Sequence, residues 1–306
     1  MGEKLNFEEL WTLTGGLAVA DNVDVPCPAC GPTKSKMGAR RKVLRVWHPT
    51  DDVMTYKCQR CTISGWTKRY GPGEGTTPTI RKSKLEKDRR KQAAMLWDKA
   101  KPLEKSLAAV YLKMRKCFLP SPNLRYLPAE WDYPPTMIAR FANKDGSTHG
   151  VHLTRLSSSG LHKANIETPK ITLGPSMGWP IIVADRRNRA ELIICEGIED
   201  ALSFAVADPH INAWAAGSAG RIAPVLKRAR TFNKVFIAVD DDDAGKVALK
   251  QAFKLRPDVI PVNLTQLMRS KNPIDANKIM TDYGAVALKR YLDLAEHYMR
   301  IERGAA

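Results

Sequence analysis

From residue 190 the chain alternates short apolar runs with amphipathic stretches: ELIICEG, IEDALSFAVA, INAWAAG, SAGRIAPVLKRAR, KVFIAVD, DAGKVALKQAFKL and DVIPVNL. The first, third, fifth and seventh read as strands and the stretches between them as helices. Such alternation restricts this part of the chain to a mainly parallel sheet with helices on its faces. In open sheets of that kind ligands collect at the carboxyl ends of the strands. Two of the runs end there in acid. IICEG places Glu196, and VFIAVDDDDAG places Asp240 to Asp243. Carboxylates in series repel one another and are costly unless cations neutralise them. Asp240 and Asp242, as alternate residues, can share one side of the edge. Asp200 follows Glu196 by one helical turn, and NPIDANKI adds Asp275 and Asn277. Oxygen ligands from several strand ends suit Mg2+ or Mn2+, the hard cations of phosphoryl transfer. A plainer role, a turn at Asp241–Asp243 with Asp243 capping the helix AGKVALKQAF, covers Asp243 but leaves Asp240 and Glu196 unexplained.

The chain has 306 residues, room for about two or three small domains. With 49 Lys and Arg against 32 Asp and Glu it carries a formal charge of +17. That excess favours a polyanionic partner, nucleic acid or an anionic membrane. No stretch approaches the roughly 18 apolar residues of a membrane-spanning helix. The start, MGEKLNFEELWTLTGG, lacks the apolar segment of a secretory signal. Nucleic acid is the expected partner, and no membrane is.

Four of six cysteines form two C-x-x-C pairs, Cys27 with Cys30 and Cys58 with Cys61, with 27 residues between the pairs. Each pair offers two thiolates at the bite zinc requires, and a closed site of four thiolates is structural. The intervening RKVLRVWHPTDDVMTYKC reads as a hairpin turning at Asp51-Asp52, so the expected unit is a zinc ribbon. His48 is a competing ligand, but four cysteines already satisfy the metal. Cys117 and Cys195 lie in apolar surroundings and are expected in the core. Residues 34–45 hold six basic residues and no acid. Arg40, Arg41, Lys42 and Arg45, with Trp47, Tyr56 and Trp66 nearby, suit single-stranded DNA, where bases stack and phosphates pair. For each aromatic taken alone, a place in a small core is the competing role.

NFEELWTLTGG has helical spacing and a glycine stop. Residues 71–91 read as a linker, first Gly/Pro/Thr-rich and then basic, running into a helix. Residues 92–119 read as two helices interrupted near Pro102, and 120–135 as a proline-rich extended stretch. MIARFANKDGSTHGVHLTRLSSSGLHKANIE reads as strand, turn at Asp145-Gly146, strand, and turn near Ser159-Gly160. Residues 284–303 read as one amphipathic helix. The expected division is a zinc ribbon at 1–70, a basic linker at 71–91, a basic α+β subdomain at 92–189, the parallel α/β domain at 190–282 and a C-terminal helix at 283–306.

IICEGIEDALS followed by VFIAVDDDDAGKVAL resembles the Toprim domain of primases, topoisomerases and related nucleases. Glu196 and Gly197 match its first motif; Asp240, Asp242, Ala244 and Gly245 match its D-x-D-x-A-G motif. Asp200 falls where primases often carry another acid. Asp275 and Asn277 resemble the third acidic element, with Asn277 departing from its D-x-D form. A zinc ribbon, a basic α/β segment and then Toprim is the order in bacterial- and phage-type DNA primases. YKCQRCTISGW is similar to the second knuckle of their ribbon. AAVYLKMRKCFLPSPNLRYLP resembles a stretch common in phage and mobile-element primases, ARFANKDGSTHGVHLTRL a strand–turn–strand of the polymerase core, and TPKITLGP its nucleotide-contacting segment. The spacing between the cysteine pairs is longer than in most primase ribbons.

This resemblance implies a DNA-directed RNA polymerase of primase type, a nucleotidyltransferase making short RNA primers on single-stranded DNA for replication. It implies Mg2+ or Mn2+ held by Glu196, Asp240 and Asp242 with Asp200 and Asp275, and Glu196 as an acid/base residue. It places Arg155, Lys163 and Lys170 on nucleotide phosphates or on template and primer. It also implies the cytoplasm of a bacterial host and, because no GxxxxGK[ST] loop occurs, a separate replicative helicase. The C-terminal helix would dock that helicase or pack on the sheet. The competing functions are a metal-dependent Toprim nuclease and a non-catalytic single-stranded DNA-binding replication protein.

Overall fold

In the computed structural model, residues 5–18, 21–31, 40–50, 52–69, 82–130, 133–142, 146–186 and 190–304 are described. Asp51, the basic residues of 34–39, the linker residues 71–81 and Asp145 lie outside them. The chain divides into two compact units, Met1–Lys82 and Ser83–Ala306.

The first unit opens with helix α1 (Phe7–Thr14). Asn6 starts it with a reciprocal cap: its side chain accepts the Glu9 N–H, and the Glu9 carboxylate accepts the Asn6 N–H. Gly15, at φ 69°, ends it in the left-handed region. Four antiparallel strands follow in spatial order, β1 (Asn22–Pro26), β2 (Lys42–Thr50), β3 (Val53–Cys58) and β4 (Ser64–Lys68). Alternation sends Val25, Leu44, Val46, Met54 and Tyr56 inward against Phe7 and Leu10. His48 is buried with them, bonded through Nδ1 to the Leu17 carbonyl and packed against Phe7 and Trp11.

The second unit begins with helix α2 (Lys82–Lys99), so the basic run 82–91 is helical. A two-residue strand β5 (Lys101–Pro102) stands at the expected interruption, and helix α3 (Leu107–Met114) follows, capped by the Ser106 hydroxyl. Strands β6 (Leu124–Leu127), β7 (Thr136–Ala142), β8 (Thr148–Arg155) and β9 (Lys170–Leu173) complete an antiparallel sheet in the order β5-β6-β7-β8-β9.

The remaining elements are β10 (Ile181–Ala184), β11 (Glu191–Cys195), α4 (Ile198–Ala207), β12 (Asn212–Ala215), a 3-10 turn (Ala219–Arg221), α5 (Ile222–Leu226), β13 (Lys234–Ala238), α6 (Asp243–Leu255), β14 (Ile260–Pro261), α7 (Leu264–Leu267) and α8 (Ala276–Gly304). Their sheet runs β10-β12-β11-β13-β14; β12, β11, β13 and β14 are parallel, and β10 adds an antiparallel edge. Leu192, Ile193, Ile194 and Cys195 of β11 are fully buried, because helices cover both faces of a central parallel strand. Cys117 is fully buried too, as expected.

The C-terminal helix differs from its expected form. It starts at Ala276 and is broken at Gly284, where φ 85° and ψ 176° are far from helical. Beyond the break Leu288, Leu292 and Ala295 enter the same core as Ile198, Ala201 and Leu202 of α4.

Helix α6 lies hard against the exit of β13. A Cβ on Gly245 would meet the Asp240 carbonyl oxygen at 2.0 Å, a backbone atom that cannot swing away. Gly245→Ala is therefore expected to cost about 1–3 kcal/mol, read from urea unfolding. An unchanged midpoint would mean that helix and strand end shift freely.

Candidate active site and metal centre

The four cysteine sulfurs of the first unit lie within 4.8 Å of one another. Cys27 and Cys61 are 3.8 Å apart and Cys30 and Cys58 3.9 Å, with none in a disulfide. Tetrahedral zinc at about 2.3 Å from each sulfur requires edges of about 3.8 Å. The N–H groups of Arg60 and Cys61 point at the Cys58 sulfur, at 3.3 and 3.4 Å. Burial pushes the Cys27 thiol up to about 12, so a metal would be what holds it as thiolate. His48 points elsewhere, toward the Leu17 carbonyl.

The outer face of this sheet sets Trp47, Thr55 and Trp66 side by side across β2, β3 and β4, with Arg45 opposite Lys57 in the next rank. Both tryptophans are half-buried, whereas Tyr56 faces the core and accepts the Leu5 N–H. Lys68 stands over the Trp66 ring at 5.9 Å. Arg40, Arg41 and Lys42 are exposed at the start of β2, while Arg45 is engaged with Asp24 at 2.7 Å.

In the second unit parallel register pairs Cys195 of β11 with Ala238 of β13. Glu196 and Asp240 therefore emerge at neighbouring strand ends, and the Glu196 N–H donates to the Ala238 carbonyl at 3.2 Å. Both acids line a cavity of about 260 Å³, together with Asp200 and Asp275. The four consecutive aspartates separate in role. Asp240 faces the cavity. Asp241 lies 3.8 Å from the Lys246 ammonium on the surface. Asp242 caps α6, its Oδ1 accepting the Gly245 N–H at 2.7 Å, and Asp243 is the first helical residue. The cap falls one residue before its expected position, because α6 takes in Asp243 as its first residue. Asp242 still acts on the site through its charge, which raises Glu196 and Asp240.

Burial raises the Glu196 carboxyl to about 7, helped by Asp240 and Asp242. Burial and then Asp275 raise Asp200, whose Oδ1 accepts the Asn277 N–H at 3.0 Å. Asp240 is raised by burial, Asp275 and Asp242. Asp275 is exposed at the mouth and caps α8 by accepting the Lys278 N–H at 2.6 Å. Asn277 is committed to the protein: its Oδ1 accepts from Arg115 at 2.7 Å, and its Nδ2 donates to the Arg115 carbonyl and the Ser203 hydroxyl, each at 3.0 Å. A carboxylate could not donate to the Arg115 carbonyl, which accounts for an amide at that position.

The same cavity is also lined by cations. Lys163 and Lys170 lie 3.2 and 3.6 Å from the Glu199 carboxylate, which also accepts the Tyr111 hydroxyl at 2.7 Å. Burial would raise Glu199, but Lys170 and Lys163 overcome it and hold the carboxyl well below its ordinary value. His152, also in the wall, is pushed down to about 4 by burial and then by Lys170, so it is neutral at pH 7. Arg155 bonds the Thr168 carbonyl at 3.4 Å and is not among the residues lining the cavity. Sequence reasoning passed over Glu199, Tyr111, Arg115 and His152. For Glu199 a signal existed: IEDALSFAVA is apolar nearly all round, and an acid within a buried helix needs partners.

Glu196, Asp240 and Asp200 are the groups that could hold a hard divalent cation. The donors are carboxylate oxygens, and Glu196 Oε2 is buried without a hydrogen-bond partner among the described residues. Among those residues the cysteines alone close to a four-sided cage; the acids stand further apart, as suits a metal that takes part of its shell from phosphate and water.

Residues 191–285 match the family model described as "Toprim domain", and residues 87–182 one described as "Domain of unknown function (DUF7146)". No curated protein matches the chain. Among solved structures, the primase fragment of the bacteriophage T7 primase-helicase protein is 12% identical, covering 88% of this chain and 98% of that one with a TM-score of 0.43. The Aquifex aeolicus primase, with zinc-binding and RNA polymerase domains, is 16% identical over 93% of this chain and 82% of its own, at a TM-score of 0.41. The RNA polymerase domain of the Mycobacterium tuberculosis primase is 13% identical over 68% and 82%, at 0.43.

Two outcomes are expected. The purified chain should carry about one zinc, and Cys58→Ser should lose it while amide exchange in β2 and β3 rises toward unfolded rates; full protection without zinc would make the metal dispensable. At the acidic site, Glu196 holds a proton in the folded chain where the unfolded chain has lost it. Its contribution to stability is full below its ordinary value of about 4.3 and is lost as pH rises through about 7. Metal binding runs the opposite way, since carboxylates ligate once deprotonated. Added Mn2+ should raise the melting temperature more at about pH 8 than at about pH 6, and an equal rise would place the ion elsewhere.

Proposed function

We propose that this chain, which carries a Toprim domain over residues 191–285 and a four-cysteine cluster ahead of it, is a DNA primase that joins ribonucleotides on single-stranded template. The observation that carries this reading is the mixed charge of one cavity: Glu196 and Asp240 line it together with Lys163 and Lys170, whose charge reaches the acids. A nucleoside triphosphate has the matching chemistry, with phosphates to lie between cations and the oxygen partners of the acids.

Glu196, Asp240 and Asp200 would hold Mg2+ or Mn2+, with Asp242 and Asp275 adding negative charge at the rim. When bound, the metal supplies neutralisation of the triphosphate and a lowered pKa for the primer 3′-hydroxyl. Glu196, raised to about 7, can hold or release a proton at Oε2 near neutral pH. Lys163 and Lys170 offset phosphate charge, and Glu199 holds both in the cavity lining. Arg155 would act further out, on template or primer.

Trp47 and Trp66 would form a stacking face for single-stranded DNA, with Arg40, Arg41 and Lys42 at the start of β2 to pair with phosphates further along the strand. Arg45 would add to it on release from Asp24. A replicative helicase would be a partner, and the site of action the cytoplasm of a bacterial host. No described helix is long and apolar enough to cross a membrane.

The test is primer synthesis on single-stranded DNA with Mg2+ or Mn2+ and four ribonucleoside triphosphates. Glu196→Gln and Asp240→Asn should lower product by about 10²-fold or more with the melting temperature held. Undiminished synthesis would remove these acids from the chemistry. Metal-dependent strand cleavage without synthesis would favour the nuclease, and strand binding with neither would favour the binding protein.

A further inference from the structure

Arg221 closes the 3-10 turn after β12, at the end of the run GSAGR. The same stretch holds Gly217, which lines the acidic cavity, and Ala219, whose N–H bonds the Glu196 carboxylate. The Arg221 guanidinium lies 4.6 Å from the centre of the Phe141 ring, and its Nη2 donates to the Ser176 hydroxyl at 2.7 Å. Gly217 packs on that same ring; a Cβ there would come to 3.1 Å from Phe141 Cζ. Ser176 is fully inside, packed against Gly150, two residues along β8 from His152 in the cavity wall. Arg221 thus sits behind the residues that line the cavity, between the two sheets, close enough that its charge adds to the burial that lowers His152 in the wall.

What this guanidinium lacks is an anion. Among the described residues no carboxylate pairs with it, and its Nε is buried without a hydrogen-bond partner. Burial lowers it to about 10, and no acid offsets the shift. Lys163 and Lys170 are different, because they share a carboxylate partner, Glu199. A half-buried charge with one buried, unfilled donor is unfavourable in the free protein. A phosphate would supply both the missing charge and the acceptor geometry that an arginine fork matches.

We propose that Arg221 is a phosphate-binding residue that takes the outer phosphates of the nucleoside triphosphate seated at Glu196 and Asp240. This rests on the nucleotidyl-transfer reading. Arg221 selects triphosphate over monophosphate, and its unsatisfied state without ligand is relieved when the nucleotide enters. The turn that carries it also bonds Glu196, so one loop touches both ends of the ligand.

The full chain and its Arg221→Met and Arg221→Lys variants would be titrated calorimetrically with ATP and with AMP, using Ca2+ to prevent turnover. A labelled oligothymidylate strand would be titrated by fluorescence anisotropy. Arg221→Met should weaken ATP by about ten- to hundredfold and leave AMP and the strand unchanged. Arg221→Lys, keeping the charge without the fork, should fall between. Without nucleotide, Arg221→Met should melt no lower than wild type, since a methionine carries no charge to bury. Equal ATP affinity in wild type and Arg221→Met would overturn the proposal, as would a lowered melting point with uniform loss of all ligands. Loss of strand affinity instead of ATP affinity would also overturn it, assigning the phosphate to nucleic acid. Arg221-dependent ATP binding in a protein that makes no primers would sink the primase reading and leave this one standing. Primer synthesis with Arg221-independent ATP binding would do the reverse.

Discussion

Parallel hydrogen bonding between β11 and β13 is the constraint on which the candidate site depends. Pairing Cys195 with Ala238 leaves the two chains to exit on the same side, one with Glu196 and the other with Asp240. A slip of one residue would carry one acid about 3.3 Å along from the other and exchange the faces on which the buried strand residues lie. The register is held by burial: β11 is apolar on both faces, and β13 buries Val235 to Ala238. Apolar packing thus brings together two carboxylates that repel each other. The cost appears as raised carboxyls at Glu196, Asp200 and Asp240, and a divalent cation would offset it.

The cationic cluster follows the same logic of buried charge, with the sign reversed. Glu199 is almost completely buried on α4, a helix that otherwise packs with Ala, Leu, Phe and Ile. An isolated carboxylate there would be prohibitive. Two lysines from the β8–β9 region and a tyrosine from α3 satisfy it. The cluster ties the Toprim helix to the antiparallel sheet and sets the lysines in the same cavity as the acids. Structure and electrostatics are served by the same three contacts.

The parts of the site legible in the sequence were those in which one short segment carries the chemistry. C-x-x-C pairs and acids at strand ends are local, and the alternation around them sets their place. Other parts depend on partners far along the chain. Asn277 bonds Arg115 across 162 residues, and no window of sequence shows why an amide stands there. The antiparallel edge strand β10 escaped because IIVA is a short apolar run with no alternation. Cys117 and Cys195 were readable as core because burial follows from residue type alone. Lys163 and Lys170 came through resemblance, but their shared carboxylate was passed over, although an acid in so apolar a helix signals a partnered charge.

Gly284 has a wider meaning than a flaw in a long helix. Nothing lies within 4 Å of where its side chain would be, so no neighbour forbids a larger residue there. What selects glycine is torsion alone, a φ of 85°. The segment before it carries Asn277, bound to Asp200 and Arg115; the segment after it buries Leu288 and Leu292. Each therefore answers to its own contacts, and the glycine works as a swivel between them. The length and composition of the distal segment can drift without moving the rim of the cavity, provided that one residue keeps its freedom to turn.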